Sequence, residues 1–235
     1  MPSESIREIV SRNLAEVQGR IASACDRSSR SAETVRLVAV TKYAELSWIR
    51  ELVDLGQMDL GESRPQQLAA RAAEFPGRVQ WHLIGHLQRN KAALVLPRVA
   101  LIHSVDSLRL LDQLEKEAQS LTLQRDVLLE INVSGEASKD GLAPADALDL
   151  ADRLQRLEWI RPRGLMTMAP LLDNPEGARP FFRRLRELRD ELQQRAGLPL
   201  PELSMGMSGD FEPAIEEGAT LVRIGSRLFS GLQRE

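Results

Sequence analysis

The chain is poor in cysteine, histidine and long apolar runs. Cys25 is the only cysteine among 235 residues, so no disulfide can form within the chain. Three histidines and that one thiol supply too few ligands for a dedicated transition-metal centre to be expected. No apolar run approaches the ~20 residues that span a bilayer. The opening MPSESIREIV lacks the basic, apolar layout of a signal peptide, so the cytoplasm is the expected location. A net charge of -3 with both signs interspersed gives no basic face that could release counterions from nucleic acid. Neither nucleic acid nor membrane is an expected partner; a small molecule is. No Gly-x-Ser-x-Gly elbow, P-loop or Gly-x-Gly-x-x-Gly run is present, so hydrolase and nucleotide-binding readings have no motif to rest on.

What is present is an ordinary globular balance, 43% hydrophobic and 28% charged, with no linker, low-complexity tract or fixed repeat to divide it. One domain, residues 1–235, is the expectation. Ile6, Val10, Leu14, Val17 and Ile21 recur at spacings of three and four, which predicts an amphipathic N-terminal helix. Short apolar runs then alternate with helical segments. The predicted strands are 35–41, 58–61, 79–85, 100–105, 127–133, 162–168, 203–206 and 221–225. Eight strands separated by helices is the count that closes a TIM (β/α)8 barrel, whereas doubly wound open sheets more often have five or six.

In such a barrel the working residues sit at the C-terminal strand ends, and phosphates are commonly held after strands seven and eight. Val38, Val40 and Lys42 alternate onto one face of the first strand, which brings Lys42 to the barrel mouth. The bland alternative is a solvated lysine just past a strand end. After strand seven, Ser204-Met205-Gly206-Met207-Ser208-Gly209-Asp210 precedes a helix predicted from about Phe211. After strand eight, Gly225-Ser226 stands at a predicted helix N-terminus. Both are anion cradles by composition, although glycine and serine are also the usual residues of turns. Barrel closure sets strand eight beside strand one and Lys42 beside Gly225 and Ser226. A lysine next to a phosphate site suits a Schiff-base cofactor such as pyridoxal 5′-phosphate (PLP), or a Schiff-base aldolase acting on a phosphorylated sugar. Arg223 faces inward by the same alternation. Two acceptors are open to it: a pyridine nitrogen, which a permanent cation would leave unprotonated, or Glu130 on the inward face of strand five.

Specific runs accompany these residues: LVAVTK around Lys42, GES at 61–63, WHLIGHLQRNK at 81–91, IHSVDS at 102–107, GLMTMAP at 164–170, LSMGMSGDFEPAIEEGAT at 203–220 and VRIGSRLF at 222–229. With these runs the chain resembles, over nearly its whole length, the pyridoxal phosphate homeostasis protein family, single-domain relatives of the N-terminal barrel of alanine racemase. The resemblance implies PLP held as a Schiff base on Lys42, phosphate contacts from Ser208, Gly225 and Ser226, and Arg223 at the pyridine nitrogen. It implies buffering or delivery of the cofactor, with PLP-dependent apoenzymes as recipients, and no established catalytic turnover. A monomer is expected. Ser63 departs from the family's usual Gly-Glu-Asn, and Tyr43 replaces a usually small residue after the lysine.

His82 and His86 have the i, i+4 spacing of a helical metal pair, but Trp81–Gly85 reads as a strand, on which those positions would not converge as they do on a helix. His103 and Asp106 are expected to shape the turn after strand four. The alternating charges of 181–195 predict a solvated helix face laced with ion pairs. An amino-acid racemase is the second functional reading and would need another acid/base opposite the lysine; the chain leaves no length for the further domain of alanine racemases. The Schiff-base aldolase is the third.

Overall fold

The computed structural model describes residues 4–136 and 139–233. Eight parallel strands close into a barrel in chain order: β1 (Arg36–Val40), β2 (Asp59–Glu62), β3 (Gln80–Leu83), β4 (Leu101–Val105), β5 (Arg125–Glu130), β6 (Ile160–Met166), β7 (Glu202–Met207) and β8 (Leu221–Ile224). Each corresponds to a predicted strand, with ends displaced by up to about three residues, the usual uncertainty of boundaries read from pattern. β8 pairs with β1 through Val38↔Arg223 and Ala39↔Ile224. The strand ends carrying Lys42 and Gly225 are therefore neighbours, as closure requires.

Helix α1 (Ile6–Arg27) precedes the barrel, and α2 (Leu46–Asp54), α3 (Pro65–Glu74), α4 (Ala92–Val95), α5 (Leu108–Ser120), α6 (Pro144–Asp149), α7 (Ala151–Gln155), α8 (Arg179–Ala196) and α9 (Phe211–Glu216) lie in the connections. Ser5 and Glu8 form a reciprocal capping box that starts α1, whose Val10, Leu14, Val17 and Ile21 are buried while Ile6 stays exposed on the first turn. The barrel interior is filled by Val38, Leu101, Leu128, Met166 and Leu221, and a larger apolar layer packs between strands and helices. Among the described residues no helix is long and apolar enough to cross a membrane.

The charged face of α8 is largely exposed and laced with ion pairs as expected, among them Arg189–Asp190 at 2.6 Å, and Arg179, Arg183 and Arg186 also converge on the buried Glu217 just past α9, at 3.6, 2.9 and 3.2 Å. One detail differs from the sequence expectation. The helix predicted at Ser226 does not form; residues 226–231 run through turns. The segment makes successive turns, with the Leu228 N–H donating to the Gly225 carbonyl at 3.0 Å, and Asn13 of α1 holds it through Nδ2, which donates to the carbonyls of Leu228 and Ser230 at 3.1 and 2.9 Å. At the other cradle, Gly206 has φ 91° and a Cβ there would lie 2.6 Å from Cβ of Ala214, so only glycine lets α9 sit this close to the end of β7.

Candidate functional site

A cavity of ≈ 680 Å³ opens at the C-terminal end of the barrel, and Lys42, Ser208, Arg223, Gly225 and Ser226 all line it. Its remaining wall is largely apolar, with Val40, Ile84, Met168, Met207 and Phe229. That size and mixture suit a small molecule with one flat apolar part and a few polar anchors.

Lys42 sits on the turn after β1, exposed, with Nζ 5.0 Å from the ring centre of Tyr43. The backbone around it is clamped by side chains. Arg71 of α3 donates through Nη1 to the Thr41 carbonyl and through Nη2 to the Ala44 carbonyl at 2.7 Å, and Gln67 donates to the Lys42 carbonyl at 3.0 Å. Glu62, at the end of β2 and fully buried, receives both Arg71 and the Thr41 hydroxyl on one oxygen. Burial raises the Glu62 carboxyl above the usual carboxylate range, and Thr41, Arg71 and Lys42 pull it back. The turn is thus locked by a buried ion pair while the amine stays free to meet a ligand.

At the opposite wall, the Gly225 N–H donates to Ser208 Oγ at 3.3 Å and Arg227 Nε donates to the Ser208 carbonyl at 2.5 Å, tying the loop after β7 to the turn after β8. Asp210 accepts the Met207 N–H at 2.6 Å and tightens the first loop. Among the described residues nothing is bonded to the hydroxyl or N–H of Ser226. Two hydroxyls and the Ser226 N–H side by side form a set that suits a phosphate.

Arg223 lies in the barrel interior, 4% exposed, and donates to Ser204 Oγ and to the Thr167 carbonyl at 2.9 Å. Of the two acceptors open from sequence, Glu130 is not an ion-pair partner among the described residues. It acts through space: burial lowers Arg223 to about 10, and Glu130 and Asp210 oppose that. Glu130 itself is pushed up to about 7, first by burial and then by Asp106 and Asp140, with Arg223 and His86 working against the rise.

The histidines fall differently from expectation in one case. His82 bonds Asp59 and His103, and His86 bonds Asp106, so the i, i+4 pair is split between different partners. Asp106 does stand at the turn after β4. His103 does not: it is buried inside the barrel against His82 and Ser204. It shares the inward face of β4 with Leu101, two residues earlier.

The donor set fits a phosphorylated aromatic aldehyde. An amine at the mouth can condense with a carbonyl, hydroxyls and N–H groups can bind a phosphate, and a guanidinium can donate to a ring nitrogen. The family model described as "Alanine racemase, N-terminal domain" matches residues 17–233. The pyridoxal phosphate homeostasis protein of Aquifex aeolicus is 44% identical over 217 residues, 92% of this chain and 95% of that protein. The chain belongs to the pyridoxal phosphate homeostasis protein family. PipY of Synechococcus elongatus, solved with PLP bound, superposes with a TM-score of 0.83 at 35% identity, covering 94% of this chain and 100% of PipY. The same protein solved without PLP gives 0.82 at 38% identity, covering 91% and 99%.

Against the family pattern, the departing residues Ser63 and Tyr43 both line the cavity. Sequence reading missed Arg71, whose role depends on folding back onto β1 and β2, and Asn13, which lies 215 residues from its nearer carbonyl. Glu62 lay within a recognised run of the family, and an acid at the end of a barrel strand was the signal for it.

Proposed function

We propose that this protein binds PLP in the mouth cavity, holds it as a Schiff base on Lys42, and buffers or delivers it to PLP-dependent apoenzymes instead of turning over a substrate. The observation that carries the reading is the convergence of Lys42, Ser208, Arg223, Gly225 and Ser226 on one cavity. The names of the relatives and the PLP-bound PipY support it. In this reading Lys42 supplies the amine, Ser208, Gly225 and Ser226 take the phosphate, and Arg223 faces the pyridine nitrogen. When bound, PLP supplies a carbonyl for condensation and an electron-withdrawing ring. A cation at the ring nitrogen leaves that nitrogen unprotonated, which weakens the ring as an electron sink.

Among the described residues the titratable side chains lining the cavity are Lys42, Tyr43 and Arg223; Tyr43 could act as a second acid/base, so the preference for storage over turnover rests on the names of the relatives. Residues 1–235 act in this reading as one cofactor-binding unit and as a monomer.

The test is the absorbance of purified wild type beside Lys42→Ala, with and without borohydride. A yellow band in wild type alone, bleached by reduction, is the expected result. A colourless wild type that stays colourless with added PLP sinks the reading, and steady racemisation of alanine that Lys42→Ala abolishes would replace it with the racemase.

A further inference from the structure

A line of buried polar groups crosses the barrel from its base to the cavity. At the base, the Asp59 carboxylate on β2 lies 2.9 Å from Nε2 of His82 on β3. Nδ1 of His82 lies 2.8 Å from Nε2 of His103 on β4, and Nδ1 of His103 lies 2.8 Å from Oγ of Ser204 on β7. Ser204 Oγ then accepts from Nη1 of Arg223 on β8. His82, His103 and Ser204 are all buried. Arg223 lines the mouth cavity, while Asp59 and His82 line a separate hollow of ≈ 670 Å³ at the N-terminal end of the barrel.

The two ends fix the direction of every bond in this line. A guanidinium only donates and a carboxylate only accepts. Ser204 accepts from Arg223 and gives its single proton to Nδ1 of His103. His103 carries its proton on Nε2 and donates it to Nδ1 of His82, whose Nε2–H donates to Asp59. The reverse order would leave the Ser204 proton without an acceptor and would require a charged His82. The order that uses every proton has both rings as Nε2–H tautomers, an assignment made from the network. Burial, followed by His82, Arg223 and Arg36, pulls His103 well below the usual imidazole range, in keeping with a neutral ring.

We propose that His82, His103 and Ser204 are positioning residues for Arg223: a one-way hydrogen-bond relay anchored on Asp59 that fixes how the guanidinium faces the cavity. The inference rests on the reading of that cavity as a PLP site. Filling a barrel needs no such groups, since apolar side chains do it in most barrels and Val38, Leu101, Leu128, Met166 and Leu221 do it here. The relay and the Thr167 carbonyl each take one N–H of Arg223, which sets the plane of the guanidinium and leaves its remaining N–H groups for a ligand. A ring nitrogen in the cavity would then meet a donor already oriented by groups on four other elements of the barrel.

Two measurements on the full-length protein test this. Long-range proton–nitrogen spectra of the histidine rings, without added PLP, should show His82 and His103 as Nε2–H tautomers, with His86→Gln identifying the third ring. PLP titrations followed by absorbance should then compare wild type with S204A, H103L and H103Q. Glutamine can accept from Ser204 and donate to His82, so H103Q should keep wild-type affinity and band position. S204A and H103L break the relay and should weaken PLP binding about tenfold, the loss expected for one hydrogen bond to a charged group, and shift the visible band. S204A deletes one atom and keeps the test open should H103L fail to fold. Wild-type loading with S204A indistinguishable from it overturns the positioning role alone, as do Nδ1–H tautomers or an H103Q as impaired as H103L. A wild type that takes up no PLP overturns the proposed function and the positioning role with it.

Discussion

The two ends of the barrel hold hollows of nearly equal volume, ≈ 670 Å³ at the base and ≈ 680 Å³ at the mouth, yet their walls differ in kind. The base is rich in charged side chains: Arg36 pairs with Glu202 at 2.8 Å, Arg161 with Asp126 at 2.7 Å, Arg163 stands 3.8 Å from the same aspartate, and Arg98 and Arg125 donate to the carbonyls of Leu94 and Leu96. At the mouth, Lys42 and Arg223 have no carboxylate within ion-pairing distance among the described residues, and the neighbouring pair Glu62–Arg71 is turned onto the backbone beneath Lys42. Size does not separate the two hollows. Cations without a carboxylate partner occur at both ends; the largely apolar wall of Val40, Ile84, Met168, Met207 and Phe229 is found at the mouth, and it marks the end built for a ligand.

The contrast breaks most visibly at the clamp. Removing Arg71 leaves the fully buried Glu62 carboxylate unpaired, and breaking a buried pair from one side costs about 3–5 kcal/mol. Arg71→Ala should lower the urea midpoint accordingly and abolish PLP uptake along with the fixed turn. A loss under about 1 kcal/mol, the range of exposed pairs, would show that the clamp does not hold the mouth.

Glu130 comes next. Its carboxyl is raised to about 7 in the folded protein from an ordinary 4.5, so between those values the folded state binds the proton more tightly than the unfolded chain. Stability from this group is therefore fully present below about 4.5 and is lost as pH rises through 7, by roughly 3 kcal/mol in all. Glu130→Gln should be more stable than wild type at pH 8 by about that amount, and the advantage should vanish near pH 4. An equal gain at both pH values would assign it to packing.

How much of this was legible beforehand depended on distance along the chain. The eight strands and the five cavity residues follow from local signals: alternation of period two, and glycine or hydroxyl residues at strand ends. His103 carried the same signal, since it lies two residues after Leu101 on one strand face, but its polarity argued for a turn. Arg71 and Asn13 carried none. Each acts on carbonyls that only the closed barrel brings within reach, 30 and 215 residues away. The turn after β8 shows the limit most directly, because Gly225-Ser226 has the composition of a helix start, yet residues 226–231 run through turns held from α1.

Asn13 accordingly gives a smaller effect with a local readout. Asn13→Ala frees two buried or half-buried carbonyls, which costs about 1–2 kcal/mol, and loosens the turn that carries Ser226. Weaker PLP binding with an unchanged visible band is expected, because the phosphate end loosens while Lys42 and Arg223 keep their surroundings. A changed band with unchanged affinity would mean that the turn acts on the ring instead.

The base supplies the smallest effect. Arg161 is 54% exposed, and its partner Asp126 has Arg163 close by to replace it. Arg161→Ala should change stability by no more than about 0.5 kcal/mol and leave the PLP spectrum untouched. Asp59 lies in the same hollow but anchors the buried relay, so Asp59→Ala should shift the PLP band where Arg161→Ala does not. If both variants leave the band alone, the base is an ion-paired rim and nothing more. If only Asp59→Ala moves it, the two ends differ in their walls but are joined through the barrel by one line of hydrogen bonds.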